Sequence, residues 1–252
     1  MEYFVHKDSV VRTIWGKSDT ILFIFAGAAA EFALNKAVDW LYFTGRLPAD
    51  PLGRLFSTVA YARVIVFAEK EKAWKAIDSM RLIHKEVEAK RGGTIPDWAY
   101  RDVLFMLIHY SIAAYELLER KLSMEEKEEV FRVFREVGDR MGLVNLPASY
   151  VQWLPVRQQH LDQDLAESTY TTDLFRQYKK HLGAFRYRVL VQGQTLVIPE
   201  RVRLLLHRSA FSWLQPVIPF YKLSRLIHMD KLIKALLLPP AYQQQIRKLD
   251  IS

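Results

Sequence analysis

Hydrophobic positions recur every three or four residues along most of the chain, which is the spacing of a helix face. Residues 20–44 carry this pattern, and residues 55–69 and 70–90 predict two further helices, the second stopped at Arg91-Gly92-Gly93. Pro96 and Asp97 introduce a long helix over about Trp98–Lys121. Ser123 followed by Glu126 reads as a capping box in front of "KEEVFRVFREVGDRMG", which Gly142 closes. Pro147 and Pro155 bracket a connection containing Trp153, and more helices are predicted over 158–192 and 200–236. Prolines 199, 216, 219, 239 and 240 interrupt that last part. Only "RYRVLVQGQTLVIP" has enough β-branched residues to pass for strands. The pattern predicts an all-α fold in a single domain over 1–252.

Composition narrows this picture. The chain has 252 residues, half of them hydrophobic, which is enough to bury a large core. It has no cysteine, so disulfides, thiolate nucleophiles, iron–sulfur clusters and cysteine zinc sites are excluded. The longest apolar run, "ILFIFAGAAA", is too short to cross a bilayer and is followed by Glu31. The first residues lack the pattern of a signal peptide. A cytoplasmic location is expected, with peripheral membrane association as an addition to it.

The net charge of +8 lies entirely in the second part. Residues 1–150 hold 21 Lys/Arg and 21 Asp/Glu, whereas residues 151–252 hold 15 and 7. There the basic residues alternate with large aliphatics, as in "YKLSRLIHMDKLIKALLL". That mixture suits a solvated helix face or a helix on an anionic membrane, and nucleic acid ranks below both.

Several polar residues interrupt apolar faces. On the 70–90 helix the stripe Trp74, Ile77, Met80 and Val87 has Arg81 and His84 on or beside it. From this helix alone, a core histidine bonded to a carbonyl, with the arginine on a carboxylate, accounts for this better than a site does. On the next helix Asp102, His109 and Glu116 stand seven apart in a helix apolar on nearly all sides, marking a buried hydrogen-bond network or a pocket wall. Arg54 and Thr58 are four apart on one face of a starting helix. Metalloprotease, di-iron, phosphate-loop and serine-hydrolase motifs are absent from the sequence.

In this order, "DPLGRLFST", "MRLIH", "WAYRDVLFMLIHYSIAAYE" and "EVGDRMGLVNLP" resemble the MpaB-like oxygenase family, which includes the rubber oxygenases called latex-clearing proteins. The likeness covers about residues 27–160, with residues 161–252 expected to complete the fold as basic C-terminal helices. It implies a globin-like helical core binding heme b, with His84 as the proximal iron ligand and Arg81 close to the heme. Arg54 and Thr58 would lie near the distal face, while His109 and Ser111 would line the pocket from the second helix. Arg54, Arg81 or Arg101 would answer the propionates, and a carboxylate or His109 would handle protons. Rubber oxygenases carry a lysine just before the motif threonine; Ser57 stands there in this chain. The family's catalytic glutamate has two candidates, Glu31 and Asp39. The implied function is a heme-dependent oxygenase using dioxygen on an apolar, isoprenoid or lipid substrate. The alternative is a non-catalytic heme or lipid-binding protein.

Overall fold

The computed structural model describes residues 2–226, and every regular element among them is helical. A short helix α1 (Val10–Trp15), capped by Ser9, leads into α2 (Ser18–Phe32). The apolar run expected to continue to residue 44 breaks after Phe32. Asn35 forms a turn there, and α3 (Val38–Phe43) follows. After the single turn α4 (Arg46–Ala49), α5 (Pro51–Phe67) starts with Asp50 accepting from the Gly53 amide. Pro51 occupies the first position, where its missing N–H costs nothing.

The next three helices match the expected punctuation. Helix α6 (Lys70–Arg91) ends on Gly92 with φ +73°, a left-handed residue that glycine adopts without strain. Helix α7 (Asp97–Leu118) follows Pro96, and α8 (Met124–Met141) opens with both halves of the Ser123/Glu126 capping box and closes at Gly142.

One expectation fails in the C-terminal third. The segment bracketed by Pro147 and Pro155 is not a connection, because α9 (Tyr150–Gln163) starts at the Ser149 cap and carries Pro155 within it. Proline there frees the carbonyl four residues earlier. That carbonyl belongs to Val151, which is exposed, so water can satisfy it. The β-branched stretch "RYRVLVQGQTLVIP" lies mostly in α10 (Thr169–Thr195), kinked at Gly183, and α10 packs on α2 and α5. The helix expected over 158–192 therefore forms in spite of the β-branched residues. Helices α11 (Glu200–Leu205) and α12 (Val217–Leu226) complete the described chain. The helix expected to reach residue 236 and the Pro239/Pro240 break extend outside it.

The centre of the molecule is the pair α2 and α7, flanked by α8 beside α7 and by α10 beside α2. Their close approach depends on Gly27. A Cβ there would stand 2.3 Å from ring carbons of Tyr110. The main core gathers Trp15, Phe25, Ile77, Phe105, Phe131 and Trp153, all buried. No helix among the described residues is long and apolar enough to cross a membrane.

Candidate functional site

His84 sits on α6 beyond the part of the stripe that is buried. Ala73 and Ile77 are covered, whereas Arg81 is exposed and His84 half-buried. Its ring meets the edge of Tyr100 from α7, at 5.2 Å between centroids. Nδ1 of His84 is covered and has no hydrogen-bond partner among the described residues. Burial, helped by the positive charge of Arg54, holds the imidazole below its ordinary pKa, against a smaller opposing pull from Glu88. The ring is therefore neutral at pH 7, with a nitrogen available to a metal. A cleft of about 230 Å³ opens beside it, between Arg81, Lys85, Glu88, Tyr100, Met141 and Leu143.

Arg54 and Thr58 form one unit on α5. The Arg54 Nη1 donates to the Thr58 hydroxyl at 3.0 Å and to Ser57 at 3.1 Å. The Thr58 hydroxyl in turn reaches the Arg54 carbonyl at 3.3 Å. The Arg54 charge acts on His84, but neither Arg54 nor Thr58 is among the residues that line the cleft beside that ring. Arg101 is directed elsewhere and donates to the Val144 carbonyl. Asp39 is paired with Arg91 at 2.5 Å.

The polar line on α7 divides. Asp102 is turned into the protein, whereas His109 and Glu116 line a second cavity of about 410 Å³ together with Lys121 and residues Leu196 to Pro199. Tyr100, which touches His84, and His109 are nine residues apart, about 13 Å along a helix. His84 and His109 thus belong to different cavities. Ser111 is fully buried and accepts from the indole Nε1 of Trp15 at 3.1 Å.

His109 is held neutral. Burial and the nearby Arg157 guanidinium bring its pKa down to about 4, against the pull of Glu31. An unfolded histidine titrates near 6.5, so between these two values the unfolded chain binds more protons and stability rises with pH. The contribution is complete above pH 6.5 and is lost as pH falls through 4, about 3 kcal/mol in total. A His109→Gln variant is expected to show a flatter loss of stability over that range in urea unfolding. An unchanged slope would remove His109 as its source.

Two buried polar clusters escaped the sequence reading. In the first, Glu31 Oε2 accepts from Arg157 Nη2 at 2.5 Å and from the Tyr110 hydroxyl at 2.8 Å. Burial alone would lower the Arg157 pKa, and Glu31 reverses that, leaving it raised. In the second, His160 Nδ1 lies 2.6 Å from Asp102 and 2.8 Å from Asp164, while Asn35 donates to the other Asp102 oxygen at 2.6 Å. The signal for the second was His160 and Asp164 four apart, hence on one helix face. For the first it was one glutamate at the end of the longest apolar run.

The family description "ER-bound oxygenase mpaB/B'/Rubber oxygenase, catalytic domain" matches residues 15–246, a longer stretch than the motifs alone span. No curated protein and no solved structure matches the chain.

Proposed function

The chain belongs to this mpaB/rubber-oxygenase family, and from that membership we propose that it is a heme-dependent oxygenase acting on an apolar isoprenoid or lipid substrate. The observation that carries the reading is His84 Nδ1, a covered and unpartnered imidazole nitrogen held neutral beside a cleft. A heme requires such a nitrogen, an apolar face and cations for its carboxylates. Tyr100, Met141 and Leu143 offer the face, and Arg81 and Lys85 line the same cleft. The donor chemistry fits. The cleft of about 230 Å³ is smaller than the roughly 300–1,000 Å³ of ordinary small-molecule pockets, so seating a macrocycle would require its walls, α6 and α7, to part.

When bound, heme supplies an iron able to take up dioxygen and oxidise an unsaturated chain. The protein's own part is to fix the His84 ring against Tyr100 and to present a guanidinium and a hydroxyl from Arg54 and Thr58. Such donors would stabilise negative charge that develops on a bound oxygen-containing group. A lipid-like substrate also accounts for the exposed aromatic surface near the end of the described chain. Phe211, Trp213, Phe220 and Leu223 are all exposed. Together with the basic excess of residues 151–252 they favour peripheral contact with anionic lipid.

The test is the visible spectrum of the purified chain with its heme and iron content, followed by oxygen uptake on polyenes in anionic and neutral vesicles. Near-equimolar heme is expected, along with a His84→Ala variant that loses the heme band or changes its coordination. Uptake should be faster on anionic vesicles and weaken with salt. A heme spectrum untouched by His84→Ala would reject the ligand assignment. Bound heme without oxygen uptake would favour the non-catalytic carrier.

A further inference from the structure

Asp102 from α7 and His160 and Asp164 from the end of α9 meet at one point. One ligand-type atom from each lies within 4.8 Å of the others. The convergence centres on a single nitrogen, His160 Nδ1, which faces a carboxylate oxygen of Asp102 at 2.6 Å and one of Asp164 at 2.8 Å. A ring nitrogen carries at most one hydrogen, and a hydrogen shared between two acceptors binds each less well.

The setting is also buried: two carboxylates face one imidazole where Asp102 is 1% and His160 8% exposed. Arg157 also acts on Asp102, but its guanidinium is already paired with Glu31. Unbalanced charge in such a place is costly. A divalent cation among the three groups would satisfy all of them. The two carboxylates neutralise it, and the neutral Nδ1 gives a third bond.

We infer that Asp102, His160 and Asp164 form a binding site for a divalent transition-metal ion, separate from the cleft at His84. One imidazole with two carboxylates suits zinc, manganese or ferrous iron better than calcium or magnesium, which favour oxygen alone.

The surroundings are those of a built site. Asn35 holds the second Asp102 oxygen, and its own side-chain carbonyl accepts from the Ala37 amide at 2.9 Å, so the carboxylate is oriented from behind. Phe105 stands edge-on to the His160 ring at 5.2 Å and fixes its plane. Entry is from the Asp164 side, where that side chain is 18% exposed. The backbone around the point is already knitted. Lys36 donates to the Asp164 carbonyl, Ala166 donates to the Leu34 carbonyl, and Asn35 pairs with Leu165. An ion here ties the turn between α2 and α3 to α7 and α9, which makes its effect structural.

The experiment titrates zinc into the full chain after chelator treatment and desalting, by calorimetry and by thermal unfolding, with heme absorbance followed in parallel. About one zinc per chain is expected. The melting temperature should rise by about 5–10 °C at a hundredfold excess over the dissociation constant. His160→Gln and Asp164→Asn should each weaken binding at least tenfold, and Asn35→Ala about 10–100-fold. Asp164→Asn leaves the Asp102, His160 and Asn35 contacts in place, so it decides the matter even where Asp102→Asn does not fold. Two results would overturn the site: no saturable zinc binding by the parent chain, or equal binding by the Asp164→Asn and His160→Gln variants. The heme band plays no part in either outcome, so this test is independent of the proposed activity.

Discussion

An Arg157→Met variant is expected to be less stable than the parent chain by about 3–5 kcal/mol, the cost of leaving one partner of a buried ion pair alone. For a chain of this size that corresponds to roughly 6–20 °C in melting temperature. The side chains of Arg157 and Glu31 are 5% and 1% exposed, and the Glu31 carboxylate has one oxygen with no partner at all among the described residues. Removing the guanidinium leaves Tyr110 as the donor to the other oxygen. Methionine fills most of the vacated volume, which separates the charge effect from a cavity. The double variant Glu31→Gln/Arg157→Met keeps an acceptor for the Tyr110 hydroxyl and removes the stranded charge. It should regain at least half of the loss, since neutral replacements of buried pairs are often tolerated. Urea unfolding of the two single variants and the double variant measures the coupling. If the Arg157 and Glu31 effects simply add, the ion pair does not hold these helices together.

This pair shows where the sequence stopped being informative. Helix ends were legible because their causes are local. Ser123 with Glu126, Gly92 and Pro96 each act within a few residues, and all sit where they were expected. Pro155 in α9 misled, because a proline that the helix tolerates looks the same in sequence as one that ends it. The family likeness was legible too, since four motifs in order survive without knowledge of contacts.

What the sequence could not supply was pairing across the fold. Glu31 and Arg157 are 126 residues apart, and Asp102 and His160 are 58 apart. No periodicity links such residues. The line Asp102, His109 and Glu116 was read as a network or a pocket wall, and the structure divides it between the two. Asp102 joins the network with His160, while His109 and Glu116 line the larger cavity. Seven residues advance about 10 Å along the helix while turning it only about 20°, so the members of the line meet different neighbours mainly because they stand at different levels.

The largest packing effect is expected at Trp15, where Trp15→Ala should cost about 3–5 kcal/mol. The indole is fully buried, 6.0 Å from Phe25 and 5.9 Å from Phe134 between ring centroids, so its loss opens the contact among α1, α2 and α8. Trp15→Phe should cost less, because the ring volume is largely kept and the chief loss is the donor to Ser111. Ser111→Ala strands the indole N–H in the core, for about 1–3 kcal/mol. In the Trp15→Phe/Ser111→Ala double variant that penalty disappears, since no donor is left to strand. The same series decides what Ser111 is for. The family likeness puts it at the heme, whereas its hydroxyl is spent on Trp15 in the interior. A structural serine changes denaturant unfolding and leaves the heme spectrum alone. A pocket serine shifts the spectrum even in the Trp15→Phe background, where its bond to the indole is already gone.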